Sequence, residues 1–336
     1  MNIGGAAIDV RGALDRARAF LAGLARDDDG LWLDFQLAPG ASTDWVSGYV
    51  AAAIAGVRGD DPAAARAIAA LVRRARRTGG WGYNKQVRTD ADSTAWGLLA
   101  LAHGRCVPPL TIDKALAALA RHQSASGGVA TYLDNAYSGG FRADWFAPQP
   151  CVTAAAILAL LAHGESARAP AIDRAADFLV GARAADGTWA SCWWTTAHYP
   201  SVHSLLALSQ LGRLDARDRA TTARALFAAT PTGAGAFATA LALRALLLCD
   251  PDPDVDAAIA RAARDLCAAQ LADGSFAAQP ILRIPDETEL GVAAAFADER
   301  RAFTTATALA ALAVLARIPY IAAAGLPISK TSESLR

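Results

Sequence analysis

Asp186-Gly187-Thr188-Trp189 decides the fold, because the chain repeats it. Asp29-Gly30-Leu31-Trp32, Gly79-Gly80-Trp81 and Asp273-Gly274-Ser275-Phe276 share its pattern of a glycine turn closed by an aromatic ring, and Gly127-Gly128-Val129 is a degenerate copy. Recurrence at long period marks an architecture built from one repeated unit. Working outward, an Ala/Arg-rich segment precedes each turn and a more apolar one follows. The preceding segments, about 10–26, 62–77, 111–123, 170–184, 216–229 and 254–271, place Arg and Asp at helical spacing and leave one apolar stripe. The following segments, about 43–56, 93–103, 151–163, 201–212, 236–249 and 303–316, are apolar nearly all round. A helix without a polar face is buried on most sides.

Six half-wet helices paired with six dry ones either stack openly or close into a ring. An open stack needs polar caps at its ends, and the first and last dry helices are as apolar as the middle ones. The expected fold is therefore all-α, a single (α/α)6 toroid of six helical hairpins over residues 1–326, with β content close to nil. A disordered tail is expected over 327–336, where Ser, Lys and Glu displace the apolar pattern. Linkers from dry helix to wet helix are short. Those from wet to dry are mostly long (27–42, 78–92, 124–150, 185–200, 272–302), and all lie at the end where the dry helices begin. Long loops gathered at one end of a scaffold usually carry function.

Composition narrows the function. Hydrophobic residues are 54% and charged ones 19%, so a large core is available. Lys+Arg 32 balance Asp+Glu 32, which leaves no broad basic surface for nucleic acid. No apolar run reaches the ~18 residues of a membrane span. Five cysteines, odd in number and without a Cys-x-x-Cys, fit reduced thiols in a cytoplasmic protein.

The turns resemble the QW-type repeats of the terpenoid-cyclase and protein-prenyltransferase superfamily. Gln270-Leu-Ala-Asp-Gly274-Ser-Phe276 is the best copy, and Gln123-Ser-Ala-Ser-Gly127 lacks only its aromatic. The resemblance implies that these Gln and aromatic residues staple neighbouring helices. Thr89-Asp90-Ala91-Asp92-Ser93-Thr94-Ala95-Trp96 opens the second dry helix and resembles the Asp-x-Asp-Asp-Thr-Ala motif of class II terpene cyclases. By that resemblance Asp92 is the general acid that protonates an alkene or epoxide, Asp90 is its carboxyl neighbour, and Ser93 replaces the third carboxylate. An acid for this task must be neutral when substrate binds, and a second carboxyl in an apolar cavity raises its pKa by repulsion and desolvation. The plainer reading makes Asp92 and Ser93 caps of a helix starting at Thr94.

Trp45, Trp96, Trp145, Trp193, Trp194 and Tyr199 fall at or just before dry-helix starts. Ring faces stabilise carbocations as they do cations, so these residues are the expected substrate wall, with Asp44 and Cys151 at the same end. His203, one turn into its helix, is a candidate to hold or reload the acid's proton; His198 is placed in the loop before it. The expected activity is a cofactor-free cyclisation or isomerisation of an isoprenoid or similarly apolar substrate. Two alternatives stand beside it. A silent lipid-binding or partner subunit follows from length, since familiar class II enzymes set their acid between two toroids; the missing wall then comes from loops 124–150 and 272–302, from a second copy, or from another protein. A zinc-dependent prenyltransferase-like enzyme would draw on Cys151, Cys192 and His203. Asp144, Asp286 and Glu287 are further carboxylates near the mouth.

Overall fold

The computed structural model describes residues 8–133, 143–285 and 294–317; the tail expected over 327–336, with Asp286 and Glu287, lies outside the described residues. Six outer helices, α1 (Val10–Leu24), α3 (Pro62–Arg74), α5 (Pro109–Ala120), α7 (Pro170–Gly181), α9 (Ala216–Ala228) and α11 (Pro253–Ala268), surround six inner ones. The inner helices are α2 (Asp44–Val57), α4 (Ala91–Leu101), α6 (Pro150–Ala162), α8 (His198–Gln210), α10 (Ala236–Leu246) and α12 (Ala302–Ala316). Each inner helix packs on the next and α12 packs on α2, so the ring is closed.

The outer helices start where local chemistry says they should. Proline opens α3, α5, α7 and α11, where its missing N–H would have no helical partner anyway. Asp9, Asp61, Asp215 and Asp252 accept first-turn backbone N–H groups. Inner helices approach closely because small residues line them. A Cβ on Gly48 of α2 would stand 2.8 Å from the Trp96 carbonyl carbon of α4, so only glycine permits that contact.

Outer helices α3, α5, α7 and α11 pack mainly on the inner helix that precedes them, and α1 packs on α12. For these hairpins the compact unit is inner-then-outer, whereas α9 packs mainly on α10, the inner helix after it, and α1 with α12 completes the ring. Gln270 holds this seam: its Nε2 donates to Ala13 O at 2.8 Å and Gly274 O at 2.9 Å, and its Oε1 accepts from Arg16 Nε at 3.0 Å. Gln270→Ala leaves the Ala13 carbonyl without this donor and should cost about 1–3 kcal/mol. The check is a thermal melt, in which Gln270→Glu should also lose stability because it removes the donor while keeping the shape.

The glycine–aromatic turns join outer helices to the inner helices that follow. Indole N–H groups of Trp32, Trp81 and Trp189 donate to the carbonyls of Leu21, Leu71 and Leu179 at 2.7–2.8 Å, near the ends of α1, α3 and α7. These contacts add a donor to carbonyls near helix ends; Leu71 O also accepts from Ala75 N at 2.9 Å. Backbone N–H groups of Trp32, Trp81, Val129, Trp189 and Phe276 donate to hydroxyls of Ser47, Thr94, Thr153, Ser201 and Thr305 on α2, α4, α6, α8 and α12.

The fold is almost all helical, as expected, with two short antiparallel hairpins as minor additions. One pairs β1 (Asp34–Leu37) with β2 (Gly40–Ser42); the other pairs β3 (Pro280–Ile284) with β4 (Ala294–Ala297). Both belong to long mouth loops. Chain running beside an apolar cavity must pair its backbone polar groups internally, and β3 does so twice over: Thr195 N donates to Ile281 O and Arg283 N to Trp193 O.

Candidate active site

A cavity of about 630 Å³ opens at the inner-helix N-termini. Its floor carries Trp45 from α2 and Trp194 from the loop before α8, with centroids 6.0 Å apart and Phe303 within 5.3 Å of both. Higher up, Tyr132 stacks on Trp145 at 5.7 Å and Trp193 meets Trp145 edge-on at 5.1 Å. The indole N–H of Trp193 donates to Thr131 Oγ1 and that of Trp145 to Pro285 O. These ring polar groups are occupied, so their faces are free to meet an apolar guest. Leu282 and Ile284 of β3 and Phe296 of β4 complete the wall. Described parts of loops 124–150 and 272–302 therefore contribute to it.

Asp90 and Asp92 both line this cavity. Helix α4 begins at Ala91 and its N-cap is Asp90, which corrects the expectation that Asp92 and Ser93 cap a helix from Thr94. Asp90 Oδ1 accepts from Ser93 N and Oδ2 accepts from Ser93 Oγ, each at 2.7 Å. Ser93 thus gives Asp90 two donors where a third carboxylate would give repulsion. Asp90 is nevertheless pushed up to about 7, because burial outweighs those hydrogen bonds. Asp92 sits two residues on, in the first helical turn. Its Oδ1 is buried and has no hydrogen-bond partner among the described residues. Burial first and the charge of Asp90 second raise it to about 8, partly offset by the facing Trp45 indole. The pair retains a proton at neutral pH, and Asp92 is the member with an oxygen free to present it.

The remaining expected residues separate. Trp96 and His203 line a different cavity, behind the floor. Tyr199 lies fully buried beneath Trp194, its ring 3.8 Å away, with its hydroxyl unpartnered among the described residues. Its place is under the floor rather than on it. His203 Nδ1 donates to Tyr199 O at 2.8 Å, and burial with nearby Arg244 lowers its pKa to about 3. Its ring packs against Trp96 and Tyr199, which corrects its expected place beside the acid. Asp44 is corrected from wall to scaffold: it is buried and ion-paired with Arg74 of α3, whose Nε donates to it at 2.6 Å. Cys151 is buried near Asp92, and burial plus that carboxyl push its thiol well above the usual range. It is a protonated packing group behind the acid. His198 is the first residue of α8, not loop, and its Nε2 meets Thr230 Oγ1 and Leu226 O on the α9 side. Among the described residues no three of His, Cys, Asp and Glu gather as a metal-binding group.

Sequence reasoning missed Tyr83, Tyr132, Leu282, Ile284 and Phe296. The first two had a signal. They follow the turn residues Trp81 and Val129 by two and three positions, where the chain leaves each turn for the mouth. The hairpin residues had none, because their pairing is not local.

A closed helical toroid with glycine–aromatic turns and an aromatic-lined cavity at the inner-helix N-termini is the architecture of the terpenoid-cyclase superfamily. A family model for the squalene-hopene cyclase C-terminal domain matches residues 33–208, just over half of the chain, and the chain belongs to that family. No curated protein sequence matches it. Among solved structures, the type II terpene cyclase MstE from Scytonema, without ligand, superposes with a TM-score of 0.77 at 28% identity over 90% of this chain and 97% of that one. A variant of MstE in complex with geranylgeranyl dihydroxybenzoate, its substrate, gives 0.77 at 26% over 91% and 97%. A protein from Actinoplanes gives 0.77 at 29% over 92% and 100%. The ent-copalyl diphosphate synthase from Streptomyces platensis, at 21% identity and 0.58, shares the fold. Among the described residues no helix is long and apolar enough to cross a membrane.

Proposed function

We propose that this chain is a cofactor-free cyclase or isomerase of an isoprenoid substrate, started by proton transfer from Asp92. The observation that carries the reading is the unpartnered, buried Oδ1 of Asp92 at an aromatic-lined cavity, where burial first and the Asp90 carboxyl second raise its pKa. In the first step the Asp92 O–H bond breaks and the proton forms a C–H bond with the substrate's terminal alkene. The alkene's other carbon becomes cationic and Asp92 becomes a carboxylate. Cation and carboxylate then face each other in a dry site, where Coulomb attraction far exceeds its value in water. The faces of Trp45, Trp194 and Tyr83 stabilise the travelling charge, and the exclusion of water protects the cation from capture. Loss of a proton at the end restores neutrality, so the reaction needs no oxidant or metal. MstE acts on a geranylgeranylated aromatic acid, which makes prenylated aromatics and linear polyprenyl compounds the substrates to try first.

Incubation in D₂O with a panel of such substrates is the test. Mass spectrometry should find a product isomeric with the substrate but one deuterium heavier. A cyclic product without deuterium would sink the acid-initiated reading, and unchanged substrate across the panel would favour the silent binding subunit. The pH profile supplies a second check. Asp92 must be protonated to act, so kcat/KM should hold through neutral pH and fall as pH rises through about 8.

A further inference from the structure

A second cavity, about 470 Å³, lies on the far side of the aromatic floor, toward the inner-helix C-termini. That volume falls within the ~300–1,000 Å³ typical of small-molecule sites. Tyr49 and Trp96, 4.5 Å apart edge to face, and Phe303, stacked on Tyr49 at 4.0 Å, belong to the layer that separates it from the mouth. Half of its lining residues are alanine and leucine, among them Ala53, Leu158 and Ala310, and His103 and Gln210 add polar edges. Into this space α10 sends Arg244. Among the described residues its guanidinium has no hydrogen bond and no ion pair, and only Tyr49 and Tyr199 favour its charge. Arg317 lines the same cavity and donates to Gly56 O. No Asp or Glu is among the described lining residues.

His203 adds a second unmet polar group. It is 1% exposed, and because Nδ1 donates to Tyr199 O, its Nε2 carries a lone pair that nothing among the described residues satisfies. Arg244 is half-buried; its guanidinium faces the cavity with no protein acceptor among the described residues, which leaves its donors available to a bound anion. The mouth chemistry does not use this residue.

We propose that the second cavity binds an amphipathic oxyanion, an alkyl chain ending in a carboxylate or a phosphate, with the head on Arg244 and the tail along the Ala/Leu wall. The head accepts hydrogen bonds from the guanidinium, and a head that also bears an O–H can donate to His203 Nε2. This site is independent of the reaction proposed at the mouth, and either can fail while the other stands.

Calorimetric titration of the full chain with dodecanoate, dodecyl phosphate and dodecanol tests it. At least one of the two acids should bind ten-fold or more tightly than the alcohol, and which one does so identifies the head. Arg244→Met keeps the side chain's apolar stem and should bring both acids down to the level of dodecanol. Ala53→Phe fills the cavity and should abolish high-affinity binding of the acids, with helical circular dichroism confirming that the toroid is intact. If neither acid binds better than the alcohol, the proposal is overturned. It is equally overturned if the preference for acid survives both substitutions, since the acid then sits at the mouth.

Discussion

Asp92→Asn should cut turnover by about 10²–10⁴, the usual worth of a general acid, equivalent to roughly 2.7–5.4 kcal/mol of barrier at 1.36 kcal/mol per decade. Size and polarity are kept and the transferable proton is lost. The substitution should not unfold the protein, and the reason lies in where the cap is. Asp90, not Asp92, accepts the Ser93 N–H at the start of α4, so the helix keeps its cap. The carboxyl itself is a burden above neutral pH. Its folded pKa of about 8 lies above its ordinary 3.8, so the folded state holds the proton more tightly than the unfolded one. The stability gained is fully present below about pH 4 and is lost as pH rises through about 8. At pH 9 the Asn variant should therefore melt at or above the wild-type temperature. An Asp92→Asn protein that melts far below wild type yet keeps its specific activity would end the cyclase reading. Ser93→Asp probes the same pair from the other side. It removes the hydroxyl donor to Asp90 and adds a charge, so Asp92 should hold its proton to higher pH and the alkaline limb of the profile should move up.

The largest stability effect should come from Trp81. Its ring is fully buried, its N–H closes the end of α3 on Leu71 O, and its backbone N–H reaches Thr94 at the start of α4. Trp81→Ala should cost about 3–5 kcal/mol, the range for deleting a large buried aromatic. Trp81→Phe keeps most of the packing, and the Leu71 carbonyl keeps its bond from Ala75 N, so loss of the indole donor should cost about 0.5–1.5 kcal/mol. Phe276 shows that the repeat tolerates phenylalanine where its surroundings are built for it. Chemical denaturation of both variants separates packing from the hydrogen bond. A Trp81→Phe protein as unstable as Trp81→Ala would mean that the hydrogen bond matters more than the ring volume. The damage should also reach the mouth, because Thr94 lies two residues beyond Asp92.

Much of this molecule was legible because its signals are local. Helical period and the glycine–aromatic turns are read within a dozen residues, and they placed the twelve α-helices of the described residues to within a few positions. The unequal linkers showed which end of the toroid is the mouth. Trp45, Trp145, Trp193 and Trp194 reached the cavity because the chain enters the inner helices there.

What only the tertiary structure decided is what depends on direction and on distant partners. Helix position alone does not say on which side of the aromatic floor a ring ends, and Trp96, Tyr199 and His203 fell behind or below it. Asp44 looked like Asp92, an acid at an inner-helix start, until Arg74 from the next helix claimed it. The wall strands β3 and β4 exist because their backbone groups pair across the mouth loops, which no local propensity encodes. The ionisation of Asp90 and Asp92 is likewise a tertiary property. The sequence determines that two carboxyls stand two residues apart; the packing around them removes the water that would otherwise have let both ionise.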